Sequence, residues 1–197
     1  MNNYSHSDDI KAIRKIMEES SRFLSLSGLS GVFAGIFALA GYIIAELSIR
    51  NAGIVSGGKL DRILFFDAVL VLLAALSLSF ILSYRKAARA EVKFWNRTTK
   101  RLLINLVLPL FAGAVFILIF YLNKDFQYII PSMLIFYGLA LVSAGKFTFG
   151  EVQYLGVFEL LTGILAFVFP DYSLFAWVFG FSFLHIMYGL IVHKKYR

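Results

Sequence analysis

The sequence contains no cysteine, only three prolines and only three histidines among its 197 residues. The absence of cysteine excludes disulfide bonds, thiolate nucleophiles and cysteine-ligated metal sites. Charged residues are also scarce, at 16% of the chain, whereas a soluble domain averages about a quarter. This composition is therefore untypical of a soluble globular domain.

Apolar residues fill the chain instead. It is 59% hydrophobic and 17% aromatic, with a mean hydropathy of +0.77. A bilayer core about 30 Å thick requires about 20 apolar residues per helix. We therefore predict an all-α polytopic integral membrane protein with six transmembrane helices arranged as three hairpins. The predicted spans cover approximately residues 23–49, 63–84, 102–122, 128–148, 154–169 and 172–192.

The first 22 residues are polar and form a separate region. Ile10, Ile13 and Ile16 recur at helical spacing among charged residues, which predicts an amphipathic helix on the inner membrane surface. No small-residue cleavage site follows the first apolar run, so that run is predicted to remain as a permanent helix. The predicted organisation is a cytoplasmic arm over 1–22 and a membrane domain over 23–197.

The lysine and arginine residues are distributed unevenly among the segments that join the predicted spans. With both termini placed inside, fifteen of the nineteen Lys and Arg residues lie in inner segments, seven of them in the 85–101 link. This excess predicts an N-in/C-in topology in a bacterial inner membrane. It also accounts for the net charge of +7, so we expect anionic lipid headgroups rather than nucleic acid at the inner face.

Small residues recur every four positions in the first span, at Ser27, Gly31 and Gly35. This spacing lets two helix backbones approach closely. The partner helix is either another span of the same chain or the same helix of a second copy, which would make a homodimer.

Two ionisable side chains fall within the apolar runs of spans 5 and 6. Counted from the inner ends, Glu159 and His185 lie at a similar depth of about 10 Å, so we predict that they meet. A carboxylate beside an imidazole is suited to binding a proton near neutral pH. Tyr188 and Thr162 are predicted to extend this buried polar site. The alternative is a structural hydrogen bond between helices, worth about 1 kcal/mol or less.

Lys146 lies at the inner end of span 4. Its side chain is predicted to reach the lipid headgroups. The alternative is an ion pair with Glu151 or with Glu159.

A second charged group is predicted near the outer ends of spans 1 and 2. Glu46 is four residues before Arg50, the spacing of a helical ion pair, and Arg62 is predicted to reach Asp67. These four residues are candidates for a cation-recruiting cluster or for ordinary charged helix ends.

The last hairpin reads GILAFVFPDYSLFAWVFGFSFLHIMYG, with Pro170 at its tip and Gly163, Gly180 and Gly189 on its two arms. It resembles the repeated hairpin of small bacterial six-helix membrane proteins related to the acid-resistance membrane protein of enteric bacteria. The resemblance covers about the last 45 residues. It implies a similar helix packing and carries over no catalytic residue.

No P-loop, HExxH or GxSxG motif is present, and we expect neither a metal nor another cofactor. The leading hypothesis is a non-enzymatic membrane scaffold or stress-sensing protein. The alternative is a small proton-linked transporter or channel-like protein that uses Glu159 and His185. A membrane enzyme acting on lipid or quinone is a third hypothesis.

Overall fold

The computed structural model describes residues 23, 25–51 and 57–196, and within them every regular element is helical. Six helices in this part of the chain are long and apolar enough to cross a membrane. The first five are α1 Gly28–Arg50, α2 Gly57–Arg89, α3 Arg97–Leu122, α4 Ile129–Gly145 and α5 Gly150–Val168. The sixth span is composite, with α6 Ser173–Trp177, a π-helix Val178–Leu184 and α7 His185–Lys195.

The polar segments around α2 are more helical than predicted. Gly57 already begins α2, so Lys59 and Arg62 lie on a helix rather than in the predicted loop. Only residues 90–96 separate α2 from α3. Lysine and arginine are good helix formers, and their long side chains let a helix continue past its apolar run. The predicted amphipathic helix over 1–22 lies outside the described residues.

The asparagine before α3 shows why that helix begins where it does. Asn96 is the N-cap, and its side-chain oxygen accepts a hydrogen bond of 2.9 Å from the backbone N–H of Thr99. This contact satisfies one of the free N–H groups of the first turn.

Each predicted hairpin is in contact, α1 with α2, α3 with α4, and α5 with the sixth span. The most extensive contact, however, joins two hairpins, because α4 packs along α5. The sixth span returns to α1 and packs beside it, so α1 lies between α2 and the sixth span. The site described below lies where α4, α5 and the sixth span meet.

Glycine makes the contact between α4 and α5 close. A Cβ atom added to Gly138 would lie 2.6 Å from the backbone nitrogen of Leu160, and one added to Gly156 would lie 2.7 Å from the carbonyl oxygen of Gly138. Such distances leave no room for a side chain, so the two helix backbones touch directly. This is the packing mode of membrane helices, in which small residues allow close approach.

The opposite faces of the bundle expose large apolar side chains. Those of Phe65, Phe66, Leu70 and Leu73 on α2 are all more than half exposed. A continuous apolar surface of this size is untypical of a soluble monomer. With six apolar helices, it fits a multi-pass membrane protein whose surface lies in lipid.

Candidate functional site

The carboxylate of Glu159 lies in the interior of the bundle. Its side chain on α5 is 0% exposed, and neither of its oxygens has a hydrogen-bond partner among the described residues. Oε2 lies against Gly180 of the π-helix, where an added Cβ would come 2.5 Å from that oxygen and 2.5 Å from Leu134 Cδ2. The carboxylate is therefore enclosed by apolar atoms and by the backbone of the sixth span.

The basic side chain in contact with this carboxylate is His185, whose imidazole is charged only when it is protonated. Its Nδ1 lies 3.2 Å from Glu159 Oε1 and 3.1 Å from the carbonyl oxygen of Gly180. A carbonyl oxygen can only accept, so the contact with Gly180 places a proton on Nδ1. Glu159 and His185, predicted to meet from their equal depth, thus lie in contact.

A tyrosine from a third helix completes the group. The hydroxyl of Tyr137 on α4 lies 2.8 Å from His185 Nε2, and its ring stacks beside the imidazole with centroids 5.4 Å apart. Since Nδ1–H donates to the carbonyl oxygen of Gly180, Nε2 of the neutral imidazole accepts a hydrogen bond from the hydroxyl of Tyr137. We call Tyr137, Glu159 and His185 the core triad.

Sequence reasoning missed Tyr137. It carries no charge at neutral pH and lies inside an apolar run, so it was not a candidate for an ionisable site. The signal that could have found it is its hydroxyl, because a buried tyrosine hydroxyl usually has a hydrogen-bond partner.

Two residues predicted to extend the site do not do so. The hydroxyl of Thr162 donates to the carbonyl oxygen of Phe158 in its own helix, at 2.8 Å. This back-bond satisfies the hydroxyl within one turn. Tyr188 turns toward α1, where a Cβ added to Gly31 would lie 3.0 Å from its ring.

The predicted ion pairs of Lys146 are not formed. Lys146 is exposed just after α4, and Glu151 is bound instead by Lys195, with Nζ 2.7 Å from Oε1, and by the hydroxyl of Tyr196 at 3.3 Å. Glu159 faces the bundle interior, beyond the reach of an exposed side chain. The alternative ion pair of Lys146 with Glu151 or Glu159 is therefore wrong, whereas the predicted reach of Lys146 to the headgroups stays a prediction.

Near the predicted outer ends of α1 and α2, Glu46 and Arg50 form an ion pair, as predicted from the sequence. Arg50 Nε lies 2.8 Å from Glu46 Oε1, one turn apart on α1. Asp67 faces α1 from α2, and a Cβ added to Gly41 would lie 3.3 Å from its carboxylate. Arg62 is exposed in the first turns of α2. Asp67 thus packs at a helix contact, apart from the Glu46–Arg50 pair.

The small residues of α1 face the sixth span of the same chain. A Cβ added to Gly31 would lie 3.1 Å from Gly189 Cα. One added to Gly35 would lie 2.7 Å from the carbonyl oxygen of Ser182. Ser27 departs from the prediction, because it precedes α1 and its backbone N–H donates to Ser83 Oγ of α2 at 3.4 Å.

One end of the bundle is tied together by Lys86. We call it the basic end, because it carries the 90–96 link and the C-terminal lysines. Lys86 Nζ donates to the carbonyl oxygens of Leu26 at 3.1 Å and Tyr196 at 3.3 Å, and lies 5.4 Å from the centre of the Phe149 ring. The lysine therefore joins the starts of α1 and α5 to the end of α7.

In the described part of the chain, no three His, Asp or Glu side chains are grouped as a metal ion would require. In comparisons with family models, curated proteins and solved structures, nothing matches this chain. The resemblance of the last hairpin therefore stays a prediction, and function has to be argued from the core triad itself.

Proposed function

We propose that this protein is a non-enzymatic, pH-responsive membrane protein whose core triad binds and releases a proton. The observation that carries the proposal is the carboxylate of Glu159, fully buried and 3.2 Å from the imidazole of His185. Ionisable groups inside a membrane are energetically unfavourable and are retained mainly where they function.

The energetics favour a shared proton. An ionised carboxylate alone in this environment would carry a desolvation penalty of several kcal/mol. One proton divided between Glu159 and His185 keeps the pair neutral overall, either as carboxylate with imidazolium or as carboxylic acid with imidazole. Gain or loss of one further proton leaves a net charge in the bundle interior, and this charge makes the packing sensitive to pH.

The enclosure of the carboxylate favours a proton over a larger ligand. Gly180 and Leu134 leave no space for a methyl group beside Oε2, so a solvated cation would have to displace them. A proton needs no such space.

The test follows the imidazole of His185 directly. In nanodiscs, the variant H6Q/H193Q leaves His185 as the only histidine, and its ¹⁵N NMR signals report the protonation state of each ring nitrogen. We expect a titration that changes when Glu159→Gln is added and does not change when Glu151→Gln is added. A His185 signal insensitive to pH, or one unaffected by Glu159→Gln, would contradict the proposal.

A proton-linked transporter is the second candidate. The observation that favours it is that the core triad connects α4, the sixth span and α5 through consecutive proton-carrying groups. Proteoliposomes with an internal pH dye would then show flux that is lost in Glu159→Gln and His185→Gln but kept in Glu151→Gln. If the unmodified protein gives no flux, proton transport is excluded and the proposed pH-responsive function still stands.

We further propose that the basic end faces the cytosol of a bacterium and lies against anionic headgroups. Trp95 and Val92 are more than half exposed in the link 90–96, beside Lys93 and Arg97. Exposed apolar side chains among basic ones suit the membrane interface. Because the chain has no cysteine, a single cysteine at Lys93 should react with an impermeant reagent only in inverted vesicles.

A further inference from the structure

The sixth span departs from α-helical geometry next to the core triad. Its π-helix Val178–Leu184 covers seven residues and ends immediately before His185. A π turn holds one residue more than an α turn, is rare, and occurs mostly as a single turn at functional sites. A segment of this length therefore requires contacts that stabilise the wider turn.

The carboxylate of Glu159 lies beside both ends of one such turn, and the imidazole of His185 bridges them. Its Oε2 lies against Gly180 and its Oε1 lies 3.2 Å from the imidazole of His185, five residues later. The same imidazole reaches back to the carbonyl oxygen of Gly180 at 3.1 Å. One carboxylate and one imidazole thus hold two residues at the separation of a π turn.

We propose that the protonation state of the Glu159–His185 pair sets the helical register of the sixth span. This inference rests on the proposed function, because it requires that the core triad binds a proton. With the carboxylate ionised, its attraction to the imidazole holds the π turn. When the carboxylate takes up a proton, that attraction is lost and the turn relaxes toward α-helix.

The two halves of the sixth span are held differently. At the basic end, α7 is fixed by the Lys195–Glu151 ion pair and by Lys86, which bonds the carbonyl oxygen of Tyr196. At the other end, α6 packs on α4 and α5 through apolar side chains, with Ala176 beside Leu134 and Ala166. Its bond to α1 is one long hydrogen bond of 3.5 Å, from Trp177 Nε1 to the carbonyl oxygen of Ala38. A change of register in the π-helix is therefore expected to move α6 and leave α7 in place.

The size of the movement follows from helix geometry. When a π turn relaxes to an α turn, the turn contains one residue fewer. The preceding helix then rotates by about 100° and moves about 1.5 Å along its axis. A side chain on α6 would be displaced by several ångströms.

The polar side chains that face His185 come from α4, from α5 and from its own span. Tyr137 approaches from α4, Glu159 from α5, and Tyr188 lies one turn further along the same helix. From α1, the sixth span meets Gly35 and Ala38. Glu159 and His185 are thus the carboxylate and the imidazole of this set, and the other polar groups in it are tyrosine hydroxyls.

Distances between spin labels test the inference, since the chain offers no native cysteine to label. One labelled pair, Phe66→Cys with Phe175→Cys, joins α2 to α6. A matched pair, Tyr84→Cys with Leu190→Cys, joins α2 to α7, and all four side chains are more than half exposed. On acidification in nanodiscs, we expect the mean distance to α6 to change by at least about 3 Å, while the distance to α7 stays constant.

The variant Glu159→Gln should give the acidic distance to α6 at every pH. The control Glu46→Gln, whose carboxylate is paired with Arg50 of its own helix, should behave as the unmodified protein. If the distance to α6 does not change with pH while the NMR signals of His185 do, this inference is overturned and the proposed function remains intact. If His185 does not titrate, both fail. A pH-dependent distance that persists in Glu159→Gln would also overturn the inference, because the change would then originate elsewhere.

Discussion

Helices α2 and α5 differ in a way that hydropathy does not predict. The most apolar stretch of α2 is more apolar than that of α5, yet the large side chains Phe65, Phe66, Leu70 and Leu73 of α2 are all more than half exposed, whereas 39% of the α5 stretch is buried. In a membrane, lipid covers an apolar helix as well as another helix does. The packed helix is instead the one whose contact faces carry glycine and buried polar side chains in mid-span, Gly156, Glu159 and Gly163 among them.

The largest expected effect comes from the close contact between α4 and α5. Gly138→Leu would drive a side chain into the backbone of α5, whose nearest atom lies 2.6 Å from an added Cβ. Overpacking typically costs about 1–3 kcal/mol, and backbone obstacles yield less than side chains, so we expect loss of monodisperse protein in size-exclusion chromatography. Ala74→Leu, in the open apolar groove of α2, is the matched control and should elute normally. Equal losses would contradict the contrast between α2 and α5.

Removal of His185 should have the next largest effect. His185→Ala leaves the carboxylate of Glu159 buried without its partner, for which a loss of about 3–5 kcal/mol is typical. Because a proton on the carboxylate relieves this penalty, the loss of thermal stability should be greater at alkaline than at acidic pH. His193→Ala, near the C-terminus, is the control. A pH-independent loss would show that His185 acts only by packing.

Leucine truncations on the two kinds of helix sharpen the comparison. Leu134→Ala on α4 removes a side chain that is 0% exposed, and we expect a loss of about 2–5 kcal/mol. Leu70→Ala on α2 removes one that is 65% exposed, and its effect should stay within about 0.5 kcal/mol. Melting temperatures in the same detergent measure both. A comparable loss at Leu70 would indicate that a second protein covers α2.

The smallest effect is expected at the hydroxyl of the core triad. Tyr137→Phe keeps the ring and removes one hydrogen bond to His185, which in membrane proteins is worth about 1 kcal/mol or less. The ¹⁵N signal of Nε2 should nevertheless shift, since it loses its partner. Tyr154→Phe, at an exposed position of α5, should change neither quantity. An unshifted Nε2 signal in Tyr137→Phe would show that the Tyr137 hydroxyl does not bind His185.

Sequence reasoning reached the six helices because the length of an apolar run reports directly on its ability to cross a bilayer. It also predicted that Glu159 and His185 lie at the same depth in the membrane, since the rise per residue is constant in a helix. It did not find Tyr137, because nothing in a linear sequence says which face of α4 turns toward the sixth span. It offered Glu151 as an alternative partner of Lys146, whereas Lys195 at the end of α7 is the residue that binds Glu151.

By itself, the sequence determined that this chain forms apolar helices with basic links and that two ionisable groups lie within them. These properties depend on composition and on distances along one helix. Only the tertiary structure decided that α4 and α5 touch at their backbones, that α2 remains exposed, and that a π-helix presents Gly180 to the carboxylate of Glu159. Helix contacts inside a membrane depend on the matching of small surfaces, and these become adjacent only when the chain has folded.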